Sequence, residues 1–386
     1  MISPRIEIDL AKIEHNARTL VTRLSGRGID VTGVTKAVLG SPEVAKAMLA
    51  GGVARLGDSR IDNLEALRDA GIQAPLTLLR SPTPEQADRA VACAGISQVS
   101  ELEVVKALSV AAGRRGVTHG LVLMVELGDL REGVLPGDVL DLARRLSRTP
   151  HVTLAGLGSN LACRAGVVPS TDNMGELSAL ATLLEGELGL HLPIISGGNS
   201  ANLAWAMKAP AGRVNDLRLG ESILLGCDPL TRMPLSGLHT DAFILVVPVI
   251  ESLAKPTVPR GATGEAAFGA PTPMRERGTI IQTIASIGRQ DVDPDGLTPP
   301  GGVSVLAASS DHLVLETPHR LAPGTELRFG LDYSALLRAM TSPFVVTTLA
   351  TTKRPLVPRV DSGTAAKLDA LRTNLSRITP RVSAAR

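Results

Sequence analysis

The sequence predicts an α/β protein, a (β/α)8 TIM barrel followed by a C-terminal, mostly-β domain. Between residues 31 and 226, eight short β-like apolar runs alternate with amphipathic stretches, the pattern of repeated βα units around a parallel sheet. After Gly226 the apolar runs follow one another with no helical stretches between them. The length of 386 residues exceeds the roughly 250 of one barrel by enough for a second, smaller domain. These observations divide the chain into a barrel over 8–235, a β-domain over 236–365 and a weakly helical tail over 366–386.

The eight runs are VTGVTKAVL (31–39), VARLGD (53–58), APLTLLR (74–80), ISQVS (96–100), GLVLMVEL (120–127), TLAGLGSN (153–160), LPIISGG (192–198) and DLRLGES (216–222). Each has the length of a strand, and eight with intervening helices close a barrel. Helix starts support the count. Ser41 and Pro42 suit the N-cap and first position before VAKAMLAGG, and Ser100 with Glu103 makes a capping-box pattern before VVKALSVAA. In the second domain FILVVPVIESL (243–253), GTIIQTIASIG (278–288), VSVLAASSDHLVLE (303–316) and TELRFGLDY (325–333) read as strands. Residues 255–277, rich in Pro, Gly and Ala, read as an exposed, flexible loop.

Composition narrows the function. With 44% apolar and 20% charged residues the chain buries a sizeable core. The 40 basic and 38 acidic residues are scattered and give a net charge of +2, so no basic stripe marks nucleic-acid binding and a small-molecule partner is expected. Cys93, Cys163 and Cys227 are odd in number and lack metal-ligand spacing, which argues against a disulfide framework or a metal site and for the cytoplasm. No apolar run reaches the ~18 residues of a membrane helix, and MISPRIEIDL lacks the features of a signal peptide. With one tyrosine in the chain, a functional tyrosine has one candidate, Tyr333.

In a barrel the working residues stand at the C-terminal strand ends, and phosphate commonly binds the loops after strands seven and eight. The seventh run leads into Ser196-Gly197-Gly198-Asn199-Ser200, where glycines let the backbone approach an anion and Ser200 can begin a helix. The eighth ends in Arg218-Leu219-Gly220-Glu221-Ser222, with further backbone donors. Both segments also read as ordinary glycine-containing turns. Lys36, near the end of an apolar run, suits a phosphate counter-charge, a Schiff-base amine or a snorkelling lysine.

In their order along nearly the whole chain, from IEIDLAKIEHNAR (6–18) through TKAVLG (35–40) to the last strands, these motifs resemble the alanine-racemase-like, fold-type III pyridoxal-phosphate enzymes. Within them the ornithine-racemase-like branch is most similar. The resemblance implies pyridoxal 5'-phosphate as cofactor, with Lys36 as its Schiff-base lysine and one of two proton-transfer groups. It implies that Arg131, in GDLREGV, bonds the cofactor's phenolic oxygen and that Arg218, in LRLGES, faces the pyridine nitrogen. A guanidinium keeps its protons, so the ring becomes a weaker electron sink, which suits racemisation better than transamination. Ser200, the main-chain N–H groups of Gly220 and Glu221, and Tyr333 in LDYSALLRAM match positions around the phosphate, and Asn199 is expected among the cofactor-binding residues.

The chain departs from alanine racemases at several positions. Asn160 stands in place of a histidine above the ring and Met124 in place of a carbamylated lysine, with Glu126 as the expected negative partner of Arg131. The tyrosine that serves as the opposite-face base is absent. The segments GRQD (288–291) and SSDH (309–312) resemble signatures of the ornithine-racemase-like branch. Racemisation needs two groups on opposite faces of Cα. The second is expected to be His312, oriented by Asp311 or Asp291, with Arg289 holding the substrate carboxylate. SSDH also reads as a turn with a solvated histidine. The family's habit of completing one subunit's site with the C-terminal domain of another implies a homodimer. Cys163, in SNLACRAG, is an alternative acid or plain packing.

The expected activity is racemisation of a small or basic amino acid, ornithine-like by resemblance. A pyridoxal-phosphate decarboxylase on the same fold is an alternative, as is a non-catalytic cofactor carrier, against which the extra β-domain counts.

Overall fold

The computed structural model describes residues 3–269 and 275–350. The strand β1 (Arg5–Ile8) and the helix α1 (Leu10–Ser25) come first. The strands β2 (Asp30–Val34), β3 (Arg55–Asp58), β4 (Leu76–Leu78), β5 (Ile96–Val99), β6 (His119–Val125), β7 (Val152–Ser159), β8 (Ile194–Asn199) and β9 (Asp216–Leu219) then alternate with helices. These are α2 (Pro42–Ala50), α3 (Ile61–Asp69), α4 (Ala87–Cys93), α5 (Leu102–Arg115), α6 (Val139–Leu146), α7 (Thr171–Leu188), α8 (Leu203–Lys208) and α9 (Glu221–Leu225). All eight apolar runs contribute a strand, and β2 through β9 close a parallel barrel. Every residue of β6 is buried, as expected of a parallel strand covered on both faces.

Two local expectations change. The first run is strand only to Val34, and Lys36–Val38 form a 3-10 turn, so Lys36 stands just beyond its strand. The Ser41 hydroxyl does accept the Val44 N–H at the start of α2, with Pro42 at its first position. The capping box of Ser100 and Glu103, however, does not form. Glu101 is the N-cap of α5 and makes no side-chain cap. The helix register is set instead by burial of Val104, Val105 and Leu108, which leaves Ser100 outside the first turn.

The second domain is built on β10 (Phe243–Pro256), β11 (Thr279–Ala285), β12 (Leu297–Thr298), β13 (Ser304–Ala308), β14 (Leu313–Thr317) and β15 (Glu326–Leu331). The helix α10 (Tyr333–Thr341) and β16 (Val346–Leu349) follow. The sheet order is β12-β15-β10-β11-β14-β13, and β1 joins it, antiparallel to β10 and parallel to β16. The run 303–316, read as one strand, is the hairpin β13–β14, its turn closed by Ser309 N–H donating to the His312 carbonyl at 2.9 Å. Likewise the run 325–333 is strand only to Leu331, after which α10 begins. Of the expected loop 255–277, Lys255 and Pro256 are instead the end of β10, paired with Ile280 and Thr279 of β11; the remainder lies in the connection between the two strands, of which 270–274 lie outside the described residues. The tail 366–386 and the boundary at 365 lie outside them too.

One buried cluster runs through both parts, from Leu56 and Leu121 in the barrel to Ile6, Phe243 and Phe329 in the sheet. The helix α10 packs against the Lys36–Val38 turn. The second domain thereby closes over the C-terminal mouth of the barrel.

Candidate active site

The residues after β2 are pinned from below. Thr35 is fully buried, and its hydroxyl donates to Asp58 Oδ2 at 2.7 Å. Asp58, the last residue of β3, also accepts from Arg60 N–H at 2.9 Å and Asn63 Nδ2 at 3.0 Å. Burial pushes the Asp58 carboxyl above its ordinary pKa, against the pull of these hydrogen bonds. The turn that follows sends Lys36 into a cavity of about 620 Å³ at the barrel mouth. Its Nζ stands 5.8 Å from the centroid of the Tyr333 ring, near enough for a cation–π attraction. Among the described residues the Lys36 amine has no hydrogen-bond partner.

Arg218 lies on the cavity floor, buried, with Nη1 donating to Ser196 Oγ and Nη2 to the Ser159 carbonyl, each at 2.6 Å. The Ser196 hydroxyl donates to Asp216, which also accepts from Thr32 Oγ1 at 2.7 Å and Arg55 Nη1 at 3.0 Å. Burial lowers the Arg218 pKa and the Asp216 charge opposes that shift. Arginine starts so high that it stays protonated.

The turns after β8 and β9 are bound to each other. Gly198 has φ +145°, and a Cβ there would run into the Asn202 side chain, so the turn requires glycine. Asn199 accepts from Ala201 N–H at 2.8 Å and donates to Asn160 Oδ1 at 3.2 Å. Ser200 Oγ receives the Ser222 N–H at 3.2 Å and the Ser222 hydroxyl at 3.0 Å. The Glu221 side chain faces the cavity and takes Arg232 Nη1 at 2.5 Å, while burial raises its pKa. Tyr333 begins α10, and burial, with the Glu221 charge second, pushes its phenol well up.

The Arg131 guanidinium lies against Glu132 at 2.7 Å, so Glu126 is not its partner. The chain after β6 folds back through Leu130 at φ 54°, and Glu126 instead accepts the N–H groups of Gly128, Leu130 and Arg131 at 2.5, 2.9 and 3.1 Å. Met124 is buried in the barrel wall. Asn160 Nδ2 is buried with no hydrogen-bond partner. Cys163 Sγ lies beside Asn199 Nδ2 at 3.4 Å on the cavity wall.

All nine residues expected around the cofactor, namely Lys36, Arg131, Asn160, Asn199, Ser200, Arg218, Gly220, Glu221 and Tyr333, line this one cavity. Arg289, Asp291, Asp311 and His312 do not line it within the same chain. Arg289 borders a second concavity, its guanidinium 5.5 Å from the Phe268 ring. His312 Nδ1 meets Asp311 Oδ1 at 2.8 Å with both side chains exposed. Asp291 accepts from the Ser342 hydroxyl at 2.7 Å; of the two aspartates, Asp311 is the one in contact with the histidine.

Sequence reasoning missed Arg80, Arg232, Glu132 and Asp58. Arg80 and Asp58 end the runs 74–80 and 53–58, and position at a barrel strand's C-terminal end was signal enough to nominate both. Arg232 and Glu132 sit on loops and carried no such signal.

The residues fit pyridoxal phosphate. A cavity of this size suits a small cofactor, and serine hydroxyls beside glycine turns suit its phosphate. The orphaned Asn160 amide nitrogen and the Lys36 amine, which has no hydrogen-bond partner among the described residues, open onto the same cavity as the buried Arg218 guanidinium.

Known proteins resemble the chain at three levels. The model of the family described as alanine racemase, N-terminal domain, matches residues 8–229. A lysine racemase of Thermotoga maritima is 36% identical over 351 residues, covering 89% of this chain and 98% of that protein. An ornithine racemase of Acetoanaerobium sticklandii is 34% identical over the same length and shares. In structure, an alanine racemase from Streptomyces coelicolor superposes with a TM-score of 0.73 at 19% identity, over 91% of this chain and 99% of the other, a likeness of fold.

Proposed function

Because the chain belongs to the alanine racemase family, we propose that it is a pyridoxal-phosphate-dependent racemase inverting Cα of a small or basic amino acid, an ornithine-like one by preference. The observation that carries this is the convergence of the nine expected residues on one cavity with Lys36 at the barrel mouth. The named activities of the lysine and ornithine racemases it resembles support the same substrate class.

When bound, pyridoxal phosphate supplies an electron sink for the pair released at Cα. Lys36 would anchor it as a Schiff base and would take and return the Cα proton on one face. Ser200 and the turn at Gly220 and Glu221 would hold the phosphate, Arg131 would hold the phenolic oxygen, and Asn199 and Asn160 would complete the cofactor's pocket. Arg218, fixed by Ser196 and Ser159, offers the ring nitrogen a donor that does not give up its proton, which keeps the sink weak. Tyr333 walls the cavity beside Lys36.

Inversion needs a second group on the opposite face. In a homodimer that shares its sites, the partner subunit's His312 is that group, with Asp311 fixing Nδ1 so that Nε2 exchanges the proton. The loop of Arg289 and Asp291 stands beside it. The enzyme is read as cytoplasmic, in keeping with its three cysteines.

Single enantiomers of ornithine, lysine and alanine in deuterated water test the reading. Loss of optical rotation with deuterium at Cα is expected for at least one. Carbon dioxide release without inversion would mean a decarboxylase, and neither change, with the cofactor still bound, a carrier.

A further inference from the structure

We propose that Arg80 holds the α-carboxylate of the amino-acid substrate at the mouth of the Lys36 cavity, a specificity role that rests on the racemase reading above. Four guanidiniums line the cavity: Arg80, Arg131, Arg218 and Arg232. Three are engaged. Arg131 lies against Glu132 at 2.7 Å and Arg232 against Glu221 at 2.5 Å, and Arg218 is buried and bound to Ser196 and Ser159. Arg80 alone has no hydrogen bond or ion pair among the described residues, and it is exposed to the cavity's solvent. It stands two residues beyond β4, where a barrel presents residues that meet ligands.

The cavity's cations are then assigned by what each can still bind. The cofactor uses Lys36, Arg218 and Arg131. The two lining carboxylates are already paired, so they leave Arg80 as an uncompensated positive charge. The anionic group common to every amino-acid substrate is its α-carboxylate. A guanidinium fork matches a carboxylate with two parallel hydrogen bonds. Holding it would also fix which way the Cα–H bond points, the condition for proton transfer to Lys36 on one face and away from it on the other.

The motif GRQD nominates Arg289 for this role. Within one chain its guanidinium covers the Phe268 ring at 5.5 Å, with Nη1 3.8 Å from Asp295, in the second concavity, and it does not line the cavity that holds Lys36. Arg80 needs no second subunit to reach the site.

The test compares two ligands that differ by the carboxylate alone. Holoenzyme is titrated with L-lysine and with 1,5-diaminopentane, following the cofactor's absorbance, and KM and kcat for L-lysine are measured in parallel. Arg80→Gln should weaken L-lysine about 10- to 100-fold in both the titration and KM, the loss expected for one charged hydrogen-bonded contact. The diamine should bind as before, and Arg80→Lys should recover part of the loss. Equal weakening of both ligands, or none for L-lysine, overturns the proposal. So does a lysine-selective loss in Arg289→Gln with none in Arg80→Gln. A wild-type enzyme that binds amino acids but inverts none in deuterated water overturns the racemase reading, while the ligand comparison still decides Arg80.

Discussion

One buried carboxylate fastens two walls of the cavity. Asp129, in the loop that carries Arg131, accepts the N–H groups of Cys163, Arg164, Ala165 and Val167 at 3.0, 2.9, 3.1 and 3.3 Å, so the loops after β6 and β7 move together. Burial alone would raise its pKa, but the backbone donors outweigh that and hold it below the ordinary value. A carboxylate with a lowered pKa contributes stability that is whole above its unfolded value of about 3.9 and is lost as the pH falls through the folded one. Asp129→Ala should therefore cost about 2 kcal/mol or more in denaturant unfolding, since several backbone donors lose their acceptor. It should also flatten the acid limb of the stability profile. Unchanged unfolding would mean the clasp carries no weight. The residues legible in the sequence are those whose position alone says what they face. Lys36 and Arg218 lie within apolar runs and Ser200 just after one, and the structure brings them together. The clasp at Asp129 and the pairing of Arg131 with Glu132 depend on how a loop folds back, which no periodicity records.

Elements were legible where their pattern was local. Eight runs gave eight barrel strands because a buried parallel strand is a short apolar stretch bounded by turns. The hairpin β13–β14 was hidden because its turn, SSDH, interrupts an apolar run without glycine or proline. The partners of β1 were hidden because alternation tells which face of a strand is buried but not what lies beside it. The neighbourhood of GRQD and SSDH, visible only as two separate motifs, has a local cause. Arg289 and Gln290 N–H groups donate to the Ser309 and Ser310 carbonyls at 2.8 and 2.9 Å. A Cβ on Gly288 would collide with the backbone of Ser310 and Asp311, so glycine permits the approach that sets Arg289 beside the turn of His312.

At the scale of the molecule, the second domain supplies α10 and Tyr333 to the site of its own chain, while His312 stays exposed on the hairpin turn. That division suits a dimer in which each subunit completes the other's site, and mixing variants tests it. Lys36→Ala and His312→Ala should each be inactive as racemases. Mixed, they form heterodimers in which one of two sites keeps Lys36 from one subunit and His312 from the other, so about a quarter of wild-type activity should return. Failure to complement would place both groups in one subunit's site or remove His312 from the reaction. The account as a whole stands on Lys36 as the anchor of pyridoxal phosphate, and borohydride reduction of the holoenzyme followed by peptide mapping tests that claim most directly. The cofactor should be fixed to the peptide carrying Lys36 and to nothing in Lys36→Ala; cofactor on another lysine, or retained covalently by Lys36→Ala, would contradict it.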